Sequence, residues 1–192
     1  YLYGTGLYLN GTVNVLSGGT ISAHGTALAS GGAMVTGILN INAGGQYFVP
    51  AEGITAKGWS AVSRLNVGGT MTMTEAAAQL AFLPAGRGSI INVTVSPHHG
   101  MPAMAHTGAA RAAVEALTVE LAERWRANGI TVAAAAIGRF DTESLRKYPE
   151  VVWKQAAQSV PLQRLGTMVE FGWLVAMLAT PLGASLSGTV VS

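Results

Sequence analysis

Three apolar runs constrain this chain more than any other feature: GSIINVTV at 88–95, ITVAAAAIG at 130–138, and SGTVV close to the last residue. Each is almost continuously apolar and β-branched or small, whereas a strand with one wet face would alternate. A strand that is apolar on both faces has to be covered on both faces, and flanking helices do this. The intervals carry helical patterning. TMTEAAAQLAF lies in the 55–82 stretch, with Pro84 expected to close the helix. HTGAARAAVEALTVELAERW spans 106–125 and runs to a stop signal at Asn128-Gly129. Residues 143–158 read as one more polar helix, and Met168 to Ala179 as an apolar one. No two-residue hairpin turn breaks the alternation. The expectation is therefore an α/β sandwich of three layers around a parallel sheet, with its ligand site at the carboxyl ends of the strands.

Length and charge narrow the function. A chain of 192 residues is long enough for one well-cored domain, taken as 1–192. Its net charge of +2 comes from Lys and Arg scattered without a basic run, which argues against a nucleic-acid surface. With no cysteine there is neither a disulfide nor a thiolate metal site, and no metal is expected. The apolar stretch FGWLVAMLATPLGASLSGTVVS is interrupted by Pro181, Gly183 and Gly188, short of the roughly 20 apolar residues a membrane span requires. The opening YLYGTGLYLN has no basic segment of a secretory leader. These features set the expectation of a cytoplasmic protein that does not enter membranes.

The first 51 residues contain no Asp, Glu, Lys or Arg. GTVNVLSGG, TALASGG and ILNINAGG alternate short apolar runs with glycine pairs. Two readings are open: coils of a β-solenoid, or the glycine-rich, cofactor-binding part (1–51) of a nucleotide-binding sheet whose remainder is 52–192. In the second reading Gly19, Ala23 and Gly25 of SGGTISAHGTALA follow the strand-like TVNVL. They would allow a tight turn and close approach of backbone to a pyrophosphate at a helix N-terminus.

Several segments together resemble the short-chain dehydrogenase/reductase family. They come in the family's order: Asn42-Ala43-Gly44, LNVGG with Asn66, GSIINVT, GMPAMAHTGAARAAV, IGRFDT, and VPLQRLGTMVEFGWLVAMLAT. About 150 residues are covered, and HTGAARAAV is most similar to the branch that holds peroxisomal trans-2-enoyl-CoA reductases and their bacterial relatives. The resemblance implies a Rossmann-like fold and hydride transfer between NAD(P) and a hydrophobic carbonyl or enoyl substrate, an acyl-CoA among the candidates, with NADP favoured over NAD. It also implies that Gly19, Ala23, Gly25, Asn42, Ala43, Gly44, Gly138 and Thr142 contact the cofactor. The N-terminal portion departs from the pattern. Only 17 positions separate Gly25 from Asn42, whereas one βαβ unit takes roughly 30 residues or more, so the sheet is expected to be shortened or incomplete there.

The family's proton donor is a Tyr, supported by a Lys four residues later, a Ser that orients substrate, and an Asn. Here Arg111 stands at the Lys position and Thr107 at the Tyr position. The spacing of four keeps both on one helical face. A Thr hydroxyl is far too weak an acid to replace a phenol of pKa about 10, and a guanidinium does not deprotonate. Asn66 matches the Asn, and either Thr94 or Ser96 supplies the Ser-type hydroxyl. His106, of the side-chain type that exchanges protons near neutrality, is the candidate acid. Arg111 is also a candidate for the cofactor ribose. Residues 143–158, with Tyr148 and Trp153, fall at the family's substrate lid. Ala109, Ala112, Ala113, Ala116, Leu117 and Leu121 form a stripe expected to be core. The family uses this helix between subunits, so a homodimer or homotetramer through 107–127 is implied. Because both Tyr and Lys are replaced, a catalytically silent homologue that binds nucleotide or a partner is the rival expectation.

Overall fold

In the structure, a computed structural model, residues 12–15, 38–42, 49–95, 103–146 and 148–192 are described. Five parallel strands form one sheet in chain order: β1 Thr12–Val15, β2 Ile38–Asn42, β3 Gly88–Val95, β4 Ile130–Ile137 and β5 Val190–Val191. Thr12 lies opposite Ile38, Ile38 opposite Ser89, Gly88 opposite Ile130, and Ala134 opposite Val190. Both uncharged N-terminal strands thus belong to the same sheet as the charged part of the chain, as the nucleotide-binding reading requires and the solenoid reading does not. Among the described residues no strand lies beyond β1.

Side-chain alternation along β3 sorts the layers. Ile90 packs with Ala78, Ala81, Phe82, Leu121, Ala122 and Trp125 on one face. Ile91 packs with Ala133, Ala135, Val175 and Leu178 on the other. The first face is covered by a helical run at 56–85 and by α4 (Ala105–Trp125); the second is covered by α7 (Met168–Ala179). These make the three layers. Alanine is a poor strand former, yet the Ala133–Ala136 run is fully strand, because burial between β3 and β5 overrides propensity.

The run at 56–85 consists of α1 (Ala56–Ser63), α2 (Gly69–Ala77) and α3 (Leu83–Ala85), joined by wide π-type turns at Arg64–Gly68 and Ala78–Phe82. Pro84 does not close it as expected. The proline sits inside α3, directly after a wide turn of the kind that accommodates a missing N–H, and the chain stops at Gly86 in the left-handed conformation (φ 64°). The single helix expected over 143–158 is two, α5 (Glu143–Arg146) and α6 (Glu150–Gln158), because Pro149 interrupts it. The alanine stripe of α4 is also corrected. Ala109, Ala112, Ala113 and Ala116 are exposed and Leu117 is half-buried; Leu121 alone of the six is buried. The buried face is instead His106, Thr107, Ala110, Arg111, Val114, Thr118, Leu121, Ala122 and Trp125. Small alanines mislead because helix periodicity marks a face without saying which side of it meets the sheet. No helix among the described residues is long and apolar enough to cross a membrane.

Candidate active site

Where α4 crosses β3, the interface changes character along the strand. At the amino end Ile90 meets Leu121 and Trp125 in apolar packing. Further along, Asn92 Nδ2 donates to Thr118 Oγ1 at 2.8 Å, and Thr118 in turn donates to the Val114 carbonyl at 2.9 Å. Next, Thr94 Oγ1 donates to Glu115 Oε1 at 2.7 Å. Beside it, Arg111 Nη1 donates to the Val93 carbonyl at 3.2 Å. Polar rungs thus replace apolar ones toward the carboxyl end of the strand, which is where open α/β sheets place their ligands.

Thr107 and Arg111 carry unmet hydrogen-bonding capacity among the described residues, as does the Oδ1 of Asn92. Thr107 is fully buried and its Oγ1 has no partner among the described residues; neither has Nε of Arg111, itself only 6% exposed. Arg111 and Thr107 share the buried face of α4, one turn apart, as their spacing implied. Burial lowers the Arg111 pKa from its ordinary value, and the nearby Glu115 charge partly restores it. An orphaned buried donor or acceptor costs about 1–3 kcal/mol, and Thr107 and Arg111 lie beside the carboxyl end of β3, where a bound molecule could pair with them.

The remaining candidates divide by location. Asn66 is fully buried on the first wide turn, its Nδ2 donating to the Val62 carbonyl at 2.9 Å. His106 is buried at the start of α4. Gly138 follows β4 and is exposed, with nothing within 4 Å of where a Cβ would stand, so backbone there is open to a close-lying ligand. Thr142 accepts from the Leu145 amide at 3.2 Å and so caps α5. Thr94 is fully buried with its hydroxyl engaged by Glu115, which leaves it supporting the α4 register. Asn42 ends β2 at the sheet's carboxyl edge. Ser96, Gly19, Ala23, Gly25, Ala43 and Gly44 lie outside the described residues. An open apolar depression of about 550 Å³ borders the start of α4, lined by Ala51, Ile54, Thr55, Ala56, Trp59 and Ala105. The segment at 143–158 does not line it. Tyr148 there is half exposed, and Trp153 is stacked under the Arg146 guanidinium at 4.2 Å.

Sequence reasoning missed Glu115, Asn92 and Thr118. Glu115 was findable as a carboxylate one turn after Arg111 on a helix, and Asn92 as the amide inside an otherwise apolar strand. Thr118 gives no such signal, since a Thr on a helix is ordinary until its partner is known.

Comparison with known proteins agrees with this geometry. The family model described as enoyl-(acyl carrier protein) reductase matches residues 13–192. A peroxisomal 2,4-dienoyl-CoA reductase of Pongo abelii is 31% identical over 153 residues, 78% of this chain and 52% of that protein. A probable 2,4-dienoyl-CoA reductase of Bacillus subtilis is 33% identical over 156 residues, 79% of this chain and 61% of that protein. Among solved structures, a short chain dehydrogenase from Bacillus anthracis matches with a TM-score of 0.70 and 34% identity, over 80% of this chain and 61% of that one. A gluconate 5-dehydrogenase from Burkholderia cenocepacia, in complex with NADP and tartrate, matches with a TM-score of 0.72 and 26% identity over the same shares. The chain spans about half the length of the peroxisomal relatives it matches. With the sheet in this order, the α4–β3 contact turning polar at the carboxyl edge, and these matches in register, the chain belongs to the short-chain dehydrogenase/reductase family, close to its peroxisomal enoyl-CoA reductase branch.

Proposed function

We propose that the chain is an NAD(P)-dependent oxidoreductase that reduces a hydrophobic enoyl or carbonyl substrate, an acyl-CoA thioester being the favoured class and NADP(H) the favoured cofactor. The observation that carries this reading is the buried guanidinium of Arg111, its Nε unpartnered among the described residues, one helical turn from the Thr107 hydroxyl, likewise unpartnered among them, at the carboxyl end of β3. The apolar depression at Ala105 and Trp59, next to that turn, supports a hydrophobic substrate. Relatives named as 2,4-dienoyl-CoA reductases support the acyl-CoA class. Arg111, Asn42, Gly138 and Thr142, with the glycines at 19, 25 and 44 and the alanines at 23 and 43, would hold the cofactor, which supplies a hydride when bound.

The chain's own residues then have two tasks. Arg111, poorly solvated and permanently charged, stabilises negative charge that develops on a thioester oxygen; such preorganised charge is the larger share of many rate enhancements. His106 exchanges the proton that a Tyr exchanges elsewhere in the family, with Asn66 and the Ser-type hydroxyl of Ser96 in support. Thr107 contributes a hydrogen bond and not an acid. We place this activity in the cytoplasm, a setting that a cysteine-free composition suits. Copies of the chain pair through the outer face of α4, where Ala109, Ala112, Ala113 and Ala116 stand exposed. Ala113→Glu should then lower the mass seen by light scattering; an unchanged mass would overturn the pairing.

The deciding experiment follows NADPH absorbance with crotonyl-CoA and a medium-chain 2,4-dienoyl-CoA, and NADPH binding by fluorescence. Turnover that falls about 100-fold in Arg111→Met, the loss typical of removing one charge-stabilising donor, supports the reading. The replacement of Tyr by Thr107 favours a second reading, a silent homologue that keeps the nucleotide site. Binding without turnover on either substrate would select it, and no binding would exclude both.

A further inference from the structure

Glu115 lies outside every motif discussed above, yet it links the two sides of the site. Its carboxylate, half-buried on α4, accepts the hydrogen bond of the fully buried Thr94 on β3 at 2.7 Å. One turn earlier on the same helix, Arg111 is 6% exposed and bonded through Nη1 to the Val93 carbonyl, the residue beside Thr94. No ion pair joins Arg111 to a carboxylate within contact distance among the described residues, where the ion pairs are all surface ones. The charge of Glu115 is nevertheless the one that acts on Arg111. A buried guanidinium needs compensating charge close by, because desolvating a lone cation is expensive.

We propose that Glu115 is a positioning residue. Its carboxylate clamps α4 to β3 through Thr94 and, by its charge, keeps the Arg111 guanidinium seated at the carboxyl end of β3, aimed at the cofactor. The inference rests on the reading of Arg111 as a cofactor contact. Glu115 itself touches neither cofactor nor substrate. It works at one remove, and its two functions are separable by chemistry. In Glu115→Gln the amide oxygen still accepts from Thr94 while the charge is gone. In Thr94→Val the charge stays while the clamp is gone.

The test is a double-mutant cycle on the full chain, made with Glu115→Gln, Arg111→Met and their combination, reading NADPH affinity by fluorescence and thermal unfolding of the unliganded protein. Alone, Glu115→Gln should weaken NADPH binding about five-fold and lower the unfolding temperature, as expected for two groups in one network. In the Arg111→Met background it should do neither, since the cation it serves is absent. Equal effects of Glu115→Gln in both backgrounds, on both readouts, would overturn the proposal. The two readings fail separately. If Arg111→Met leaves NADPH affinity intact, the cofactor contact is wrong, while coupling in the unfolding temperatures still decides whether Glu115 seats Arg111. Should either variant be too unstable to purify, Arg111→Lys with Glu115→Asp provides the same cycle: the shorter carboxylate keeps its charge, so NADPH affinity should be largely rescued relative to Glu115→Gln. Failure of that rescue would count against a charge-based role.

Discussion

The rung between Asn92 and Thr118 permits the sharpest test of how this site is built. Asn92 is fully buried, its amide nitrogen satisfied by Thr118 Oγ1 and its Oδ1 without a partner among the described residues. Thr118, also fully buried, passes its own proton to the Val114 carbonyl. Thr118→Val preserves shape but removes the acceptor, leaving the Asn92 amide with neither its nitrogen nor its Oδ1 paired. A newly orphaned buried donor costs about 1–3 kcal/mol. For a chain of this length each kcal/mol moves the unfolding temperature by about 2–4 °C, so a drop of roughly 5 °C is expected. Asn92→Leu acts in the opposite sense. It removes a group that is already half unsatisfied, and Thr118 keeps its bond to Val114, so the cost should stay below about 1 kcal/mol. In the Asn92→Leu background Thr118→Val should then cost no more than about 0.5 kcal/mol, because no amide remains to be orphaned. Urea unfolding followed by circular dichroism of the four proteins gives the cycle directly. If Thr118→Val costs the same with and without Asn92, agreeing within about 0.5 kcal/mol, its loss has nothing to do with the amide. The polar rungs would then be incidental to how α4 sits on β3.

Gly129 and Gly86 form a matched pair. Both have positive φ, 68° and 64°, but a Cβ on Gly129 would stand 2.4 Å from the Gly86 carbonyl oxygen, and one on Gly86 would meet nothing. Gly86→Ala should therefore cost about 1 kcal/mol of left-handed strain, while Gly129→Ala should cost about 3 kcal/mol because the 86–88 and 129–130 backbones must separate; equal losses in urea unfolding would refute this. At the start of α7, Thr167 and Glu170 cap each other and Arg164 binds the Glu170 carboxylate, holding its pKa down to about 2. Thr167→Ala should lose about 1 kcal/mol, read as a fall of a few degrees in unfolding temperature. Because the folded pKa of Glu170 lies below its unfolded value, its contribution is complete above about pH 4.5 and disappears as pH falls toward 2. Glu170→Gln should accordingly flatten part of the acid limb of stability between those limits; an unaltered limb would refute the assignment. Phe82→Ala, at a fully buried ring in the α4 layer, should cost about 3–5 kcal/mol and leave NADPH affinity per folded molecule unchanged.

The strands and their order of appearance were legible in the sequence, because continuous apolar runs bounded by glycine have few other solutions: 88–95 and Met168–Ala179 are found at the residues expected, and β4 within one residue. The spacing of Thr107 and Arg111 likewise set them on one face, since helical period is a local property. Local rules do not reach which side of α4 faces the sheet. Its alanines and its polar residues have nearly equal claims by pattern, and the balance was decided by what β3 offers: Asn92 and Thr94 on the strand face turned toward the helix, and the Val93 carbonyl that accepts from Arg111. The partner of a hydrogen bond 21 or 26 residues distant is set by packing, not by neighbours in the chain. Composition and periodicity by themselves therefore determined a parallel sheet with helices on both faces and a polar cation one turn from a hydroxyl. Tertiary structure alone decided that this cation is buried, that the Glu115 carboxylate one turn along the helix accepts from Thr94, and that both side chains meet the carboxyl end of β3, because only burial turns an ordinary arginine into a charge that must be compensated.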